Sequence, residues 1–349
     1  MYRKIPFVKK ELDVIDTRPG FMGATVEIKD TPVTARQNME ALFFDKHPYW
    51  MPVRDAVYLL PPIYNDNLGR GAGKDIVDTF GIKWTYEPVA GGSIVKGGNP
   101  ILKDVNEWRD VIKLPDIDSW DWETAAAENK IDSRLSCQMT FINGFWFERL
   151  ISFMDFMPAA MALIDEDQTD AIKDLFEATT DLGCRLVDKF CEYWPMLDGF
   201  NIHDDWGSQK APFFSMDTAY ELFVPFMKKI TDHIHSKGRY VTLHSCGHNK
   251  DRVQCYIDGG FDEWTPQSMN DVEYLYDNFG DKICIGVFPD REDIPNLPEE
   301  EQRKCAREFA ERFCQPGKFA NLGVEGIRRV TPAFLDELYE ATRKIYLNR

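Results

Sequence analysis

The feature that most constrains this chain is a serial alternation of short apolar runs with longer amphipathic ones, from about Leu135 onward. Ser136–Ile142 reads as a strand, and the segment after it to about Met157 as a helix. Asp167 to Tyr193 has a long helical pattern, and Met196–Ile202 reads as a buried strand. Thr218–Ser236 carries apolar residues at 222, 223, 226, 227, 230 and 234, a helical stripe that stops at Lys237-Gly238. Strands are then expected at Arg239–Leu243, Phe261–Trp264, Lys282–Val287 and Phe319–Leu322. Helices alternate with them at Lys250–Asp258, Asp271–Asn278, Pro298–Cys314 and Pro332–Leu347. Parallel strands need crossover connections, so a serial β-α-β-α pattern implies a parallel sheet covered by helices. Five or six such units in a row, with no glycine-rich dinucleotide turn after the first strand, favour an α/β fold of the TIM (β/α)8 barrel type over a doubly wound sheet.

The region before residue 130 is less regular and rich in Pro and Gly, as at Leu59–Ile63, Ala90–Gly92 and Lys96–Pro100. It is expected to supply the first strands, N-terminal helical additions and long loops over one mouth. No internal repeat or linker divides the chain, so residues 1–349 are expected to form one domain. Hydrophobic residues make up 44% and charged residues 28%, which excludes a disordered or low-complexity chain. The net charge of −17 repels phosphate backbones and anionic lipids, which argues against nucleic-acid and membrane-surface partners. No stretch approaches the ~18 apolar residues of a membrane span, and the charged start has no apolar run behind it. A soluble, cytoplasmic protein is expected. The eight cysteines form no closely spaced framework, so reduced thiols are expected.

In a barrel of this kind, reactive groups sit where strands end. The segments after the expected strands are Asn143–Phe147, His203–Gln209, His244–His248, Thr265–Gln267 and Gly323–Gly326. The sharpest of them holds His244 and Cys246. Residues at i and i+2 share a face, so both side chains point the same way. Imidazole nitrogen and thiolate sulfur together suit Zn²⁺. The competing reading is a buried cysteine beside a hydrogen-bonded histidine. A third metal ligand is ambiguous in the sequence. Cys305 and Cys314 lie on the apolar stripe of a charged helix, where packing explains them better. Glu325, after the last strand, is the better candidate by position, with a solvent-facing or helix-terminal carboxylate as its alternative.

Asp204 and Asp205 point to opposite sides because they are neighbours, so at most one is expected to face the mouth. That one would orient a ligand or act as a catalytic acid or base, with a structural loop role as the alternative, and the other would cap the loop or pair with a basic residue. Asn143, Phe145, Trp146, His203, Trp206 and Gln267 are candidates for contacts to a substrate, the aromatic ones as an apolar slot. Core packing is the alternative for Phe145. His233 and His235 lie near a helix end, where a charged imidazole meets the dipole favourably, so a structural role is expected for them.

Several segments together resemble the uroporphyrinogen decarboxylase superfamily. They are Thr31–Leu42, Thr79–Trp84, His203–Gln209, Leu222–Lys229 with its Pro225, Tyr240–Gly247, Gly259–Asp262 and Asn321–Ile327. The resemblance implies a TIM barrel. True decarboxylases of this superfamily hold a polycarboxylate with an arginine-rich N-terminal motif. This chain has Trp50–Arg54 in the comparable region and no arginine cluster after it. The H-x-C motif is similar to that of the corrinoid-dependent methyltransferase branch, where it binds zinc. Thiol-methylating members close that site with a cysteine in the final glycine-containing loop, where this chain has Val324 and Glu325. Cobalamin-independent methionine synthases share the H-x-C logic with a Glu at the next strand end, where Gln267 stands here.

The resemblance therefore implies a zinc-dependent O-demethylase methyltransferase, passing a methyl group from an aryl methyl ether to the Co(I) corrinoid of a partner protein. Zinc would be held by His244, Cys246 and Glu325. The alternatives it leaves are a decarboxylase and a methyltransferase from a methylcorrinoid to a thiol or tetrahydrofolate. A homodimer stays open.

Overall fold

The computed structural model of the chain describes residues 4–19, 25–53, 56–65, 75–88, 92–98 and 100–349. Arg54, Ala90 and Gly91, singled out above, lie outside the described residues.

The chain opens with an antiparallel hairpin, β1 (Val14–Pro19) and β2 (Thr25–Lys29), then helix α1 (Ala35–Phe43) and strand β3 (Ala56–Leu59). Thr34 starts α1 through a capping box, accepting from the Gln37 N–H while the Gln37 side chain accepts from the Thr34 N–H. An antiparallel meander follows, β4 (Ile76–Val77), β5 (Lys83–Glu87) and β6 (Gly92–Val95), then short helices α2 (Trp108–Val111) and α3 (Trp122–Glu128). From β7 (Ser136–Phe141) the expected alternation takes over. Helices α4 (Phe147–Met154), α5 (Phe156–Ala162) and α6 (Thr169–Tyr193) lead to β8 (Gly199–His203). Helices α7 (Met216–Leu222) and α8 (Val224–Ser236) lead to β9 (Tyr240–His244). Then come α9 (Val253–Asp258), β10 (Glu263–Trp264), α10 (Val272–Phe279) and β11 (Cys284–Val287). The chain ends with α11 (Glu299–Phe313), β12 (Ala320–Leu322), α12 (Val324–Arg329) and α13 (Pro332–Leu347).

Seven strands hydrogen-bond in the order β3-β7-β8-β9-β10-β11-β12, which is chain order. A doubly wound sheet would reverse order at a switch point. Strict chain order with helical crossovers is the connectivity of a TIM-like barrel, and the fold class is α/β as expected. β7 is buried along its whole length, as a strand covered on both faces must be.

Two expected helices are each broken in two. The one after β7 breaks at Asp155, whose φ of 68° no helix accommodates. The one over 218–236 breaks at Phe223, and Pro225 opens α8, where its missing N–H costs nothing.

By internal contacts the chain forms two compact units. The first is Met1–Tyr58, Asp132–Gln138 and Asp262–Arg349; the second is Leu59–Ile131 and Met139–Phe261. In the first, β10, β11 and β12 pair in parallel, Glu263 opposite Cys284 and Gly286 opposite Asn321. In the second, β8 and β9 pair in parallel, Asn201 opposite Thr242 and His203 opposite His244. Among the described residues, no helix is long and apolar enough to cross a membrane.

Candidate metal centre

The register of β8 and β9 sets out the site in rows. Alternate residues of a strand share a face, so Asn201, His203 and Asp205 line one edge, and Thr242, His244 and Cys246 the next. The lower row is a polar ladder. Thr140 donates to Asn201 Oδ1 (2.7 Å), and Asn201 Nδ2 donates to Thr242 Oγ1 (2.9 Å). One row up, the His203 and His244 rings stack with centroids 4.2 Å apart and planes 4° from parallel. Beyond the strand ends, the Cys246 N–H donates to Asp205 Oδ1 (2.6 Å). His203 Nε2 stands 3.8 Å from the same oxygen, and His244 Nε2 stands 3.1 Å from Cys246 Sγ. One ligand atom from each of His203, Asp205, His244 and Cys246 thus falls within 4.8 Å of the others.

Each donor is held from behind. His203 Nδ1 meets Glu148 Oε2 at 2.5 Å, which leaves Nε2 as the ring nitrogen facing the cluster. Glu148 stands in the first turn of α4, and that turn is anchored by Asp204. Asp204 is fully buried and accepts from the N–H groups of Glu148 (2.8 Å) and Phe147 (3.4 Å) and from Trp206 Nε1 (2.7 Å). Burial, with the Glu148 charge beside it, pushes the Asp204 carboxyl up to about 8 against the pull of these donors. Asp205 behaves oppositely. Burial would raise it, but His203, His244 and the Cys246 N–H outweigh that and hold its carboxyl below the ordinary range.

The turn after β9 explains the glycine in His244-Ser-Cys-Gly247. Gly247 has φ of 95°, and a Cβ there would sit 2.1 Å from the Gly207 carbonyl oxygen. The loops after β8 and β9 therefore touch backbone to backbone. Asn249 Nδ2 adds a bond to the Cys246 carbonyl (2.6 Å), and the His248 N–H one to the Ser208 carbonyl (2.8 Å).

Two imidazoles, a thiol and a carboxylate form a donor set that suits Zn²⁺. Zn–ligand bonds of ~2.0–2.3 Å in a tetrahedron separate ligand atoms by roughly 3.3–3.8 Å, within the span of this cluster. Glu148 supplies the outer carboxylate that metal-binding histidines commonly carry. The residues fit the ion.

The sequence candidates separate into four groups. His244, Cys246, His203 and Asp205 converge, with His203 and Asp205 as donors of the cluster. Asp204, the other half of the aspartate pair, caps α4. Phe145, Trp146 and Trp206 have no exposed surface. Trp146 Nε1 donates to Thr180 (3.1 Å), Phe145 packs on Phe141, and Trp206 packs among Phe214, Phe223 and Tyr256. These aromatics form packed core behind the site, and Asn143 is buried beside them in sequence. Gln267 and Glu325 belong to the other unit. Gln267 follows β10, and Glu325 sits in the first turn of α12, 3.8 Å from Arg328. The sequence reading did not single out Glu148. Its signal was faint: a carboxylate five residues beyond Asn143, in the loop-to-helix turn after β7.

No family model matches the sequence, and no curated protein matches it either. Among solved structures, the fold is similar to that of a methyltransferase from Methanosarcina mazei. The TM-score is 0.52 at 15% sequence identity, over 90% of this chain and 85% of that one. At that identity the likeness is one of fold.

Proposed function

We propose that this chain is a zinc-dependent methyltransferase that takes a methyl group from an O-methylated small molecule, most readily an aryl methyl ether, and delivers it to the reduced corrinoid of a partner protein. The observation that carries the reading is the convergence of His203, Asp205, His244 and Cys246 at two adjacent strand ends. The similarity of fold to a methyltransferase and the resemblance of the H-x-C segment to the corrinoid-dependent branch support it. Zinc, when bound, supplies Lewis acidity toward an oxygen leaving group. In the overall reaction the methyl–oxygen bond breaks and a methyl–cobalt bond forms from the Co(I) electron pair. The oxygen keeps the pair of the broken bond and takes up a proton.

The chain's own residues hold and orient. Glu148 fixes the His203 ring so that Nε2 faces the cluster, and the Cys246 N–H holds Asp205 Oδ1 beside it. The two carboxylates, Glu148 and Asp205, make this neighbourhood a poor one for a substrate carrying many carboxylates, which speaks against decarboxylation of a porphyrinogen.

The test is single-turnover methyl transfer. Zinc-replete protein is mixed with 2-methoxyphenol and free cob(I)alamin under reducing conditions, and methylcobalamin is followed by its visible spectrum. Methylcobalamin and catechol in equal amounts are expected, and His244→Ala should abolish both. Failure of the zinc-loaded wild type with a panel of O-, N- and S-methyl donors would overturn the proposal.

A further inference from the structure

The first unit contains a cavity of about 380 Å³ between the β1–β2 hairpin, the start of α1 and helix α13. Its walls are two separate apolar clusters. Val26, Ile28 and Leu135 belong to one, while Trp50 and Tyr339 belong to the other, their rings 5.3 Å apart and tilted by 48°. The cavity opens to the surface past Ile15, Thr25 and Glu27, which are exposed. It has more than twice the volume of the ~150 Å³ apolar cavity that admits benzene.

Of the charged groups around it, all but Glu27, which is exposed on β2, are already engaged, Asp30 with Lys10. Lys29 Nζ pairs with Asp336 (2.8 Å), and Arg134 pairs with Asp16 (2.8 Å) and Asp132 (2.7 Å). Thr34 Oγ1 caps α1, and the Tyr339 hydroxyl donates to Glu11 (2.7 Å). Ordered water needs two to four polar partners each, and a charged ligand needs a counter-charge. The lining offers an aromatic wall and aliphatic surface instead.

We infer that this cavity is a binding site for a small, uncharged, apolar aromatic molecule of up to three rings. The site lies in the unit that does not hold the metal donors and does not depend on the methyl-transfer reading. Burial of its apolar faces against Val26, Ile28 and Trp50 supplies the affinity.

The test uses the full chain, loaded with zinc, and the neutral fluorophore N-phenyl-1-naphthylamine. Saturable one-site binding with a blue-shifted emission is expected. Ile28→Trp fills the cavity from the hairpin and Leu335→Trp from α13, and each should weaken binding at least tenfold while circular dichroism and zinc content stay as in the wild type. If a Trp variant does not fold, the Phe variant at the same position gives the same reading with less added volume. Absence of saturable binding to the wild type, or undiminished binding in folded variants at both positions, would overturn the site.

Discussion

Asp204 and Asp205 are adjacent in sequence, yet the structure gives them separable jobs, and substitution should pull these apart. In Asp204→Ala, Trp206 Nε1 and the Glu148 N–H both lose their acceptor, within a site where Asp204 and Trp206 are fully buried. Each orphaned buried donor costs about 1–3 kcal/mol. Loss of a carboxyl that burial already disfavours offsets part of this, so about 3 kcal/mol is expected for the variant. Unfolding entropy near 2.1 cal/mol/K per residue gives about 0.7 kcal/mol/K for 349 residues, so Tm should fall by about 4 °C. Asp205→Ala removes one partly exposed acceptor of the Cys246 N–H and should cost only about 1 kcal/mol. It deletes one of the four donors, however, and should weaken zinc binding by more than about tenfold. Calorimetry and competition with a chromogenic chelator read the two quantities on the same samples. An unchanged Tm in Asp204→Ala, or wild-type zinc affinity in Asp205→Ala, would refute the division of roles.

Gly247→Ala forces a side chain onto φ of 95° with its Cβ 2.1 Å from a backbone oxygen; a loss above about 2 kcal/mol in the urea midpoint is expected, together with loss of zinc, and an unchanged midpoint would contradict the backbone contact. Glu11→Ala leaves the fully buried Arg343 guanidinium, now 2.8 Å from the Glu11 carboxylate, without its counter-charge, and should cost about 3–5 kcal/mol by denaturant titration. The double variant Glu11→Leu/Arg343→Met should recover much of that loss. Asp132 is held below the ordinary carboxylate range, first by its hydrogen bond to Arg134. A depressed folded-state pKa contributes stability above the unfolded-state value near 3.9 and loses it as pH falls further. Wild type should therefore lose more stability than Asp132→Asn between about pH 4 and pH 2, and parallel urea midpoints across that range would contradict the assignment.

The β-α alternation after Leu135 was legible because each run has its own period, and the strands appear within a few residues of their expected places. The breaks at Asp155 and Phe223 were not, since an apolar stripe continues through a kink without losing its spacing. The same alternation rule that paired His244 with Cys246 also pairs His203 with Asp205. His-x-Asp at the end of β8 mirrors His-x-Cys at the end of β9. Sequence alone could say that Asp204 and Asp205 diverge, but choosing between them needs the register of β8 on β9. Glu148 was hidden for a different reason. It stands 55 residues from His203, and its placement depends on where α4 begins. Phe145, Trp146 and Trp206 show the reverse limit, because an aromatic after a strand can either line a pocket or pack behind it.

Metal content tests the central claim most directly. Protein purified without chelator is measured by elemental analysis, wild type beside His203→Ala, His244→Ala and Cys246→Ala, with folding checked by circular dichroism. The account predicts about one zinc per chain in the wild type and its loss in each folded variant, His203→Ala included. Metal-free, folded wild type that takes up no zinc on titration, or a His203→Ala variant that binds zinc as tightly as the wild type, would contradict it.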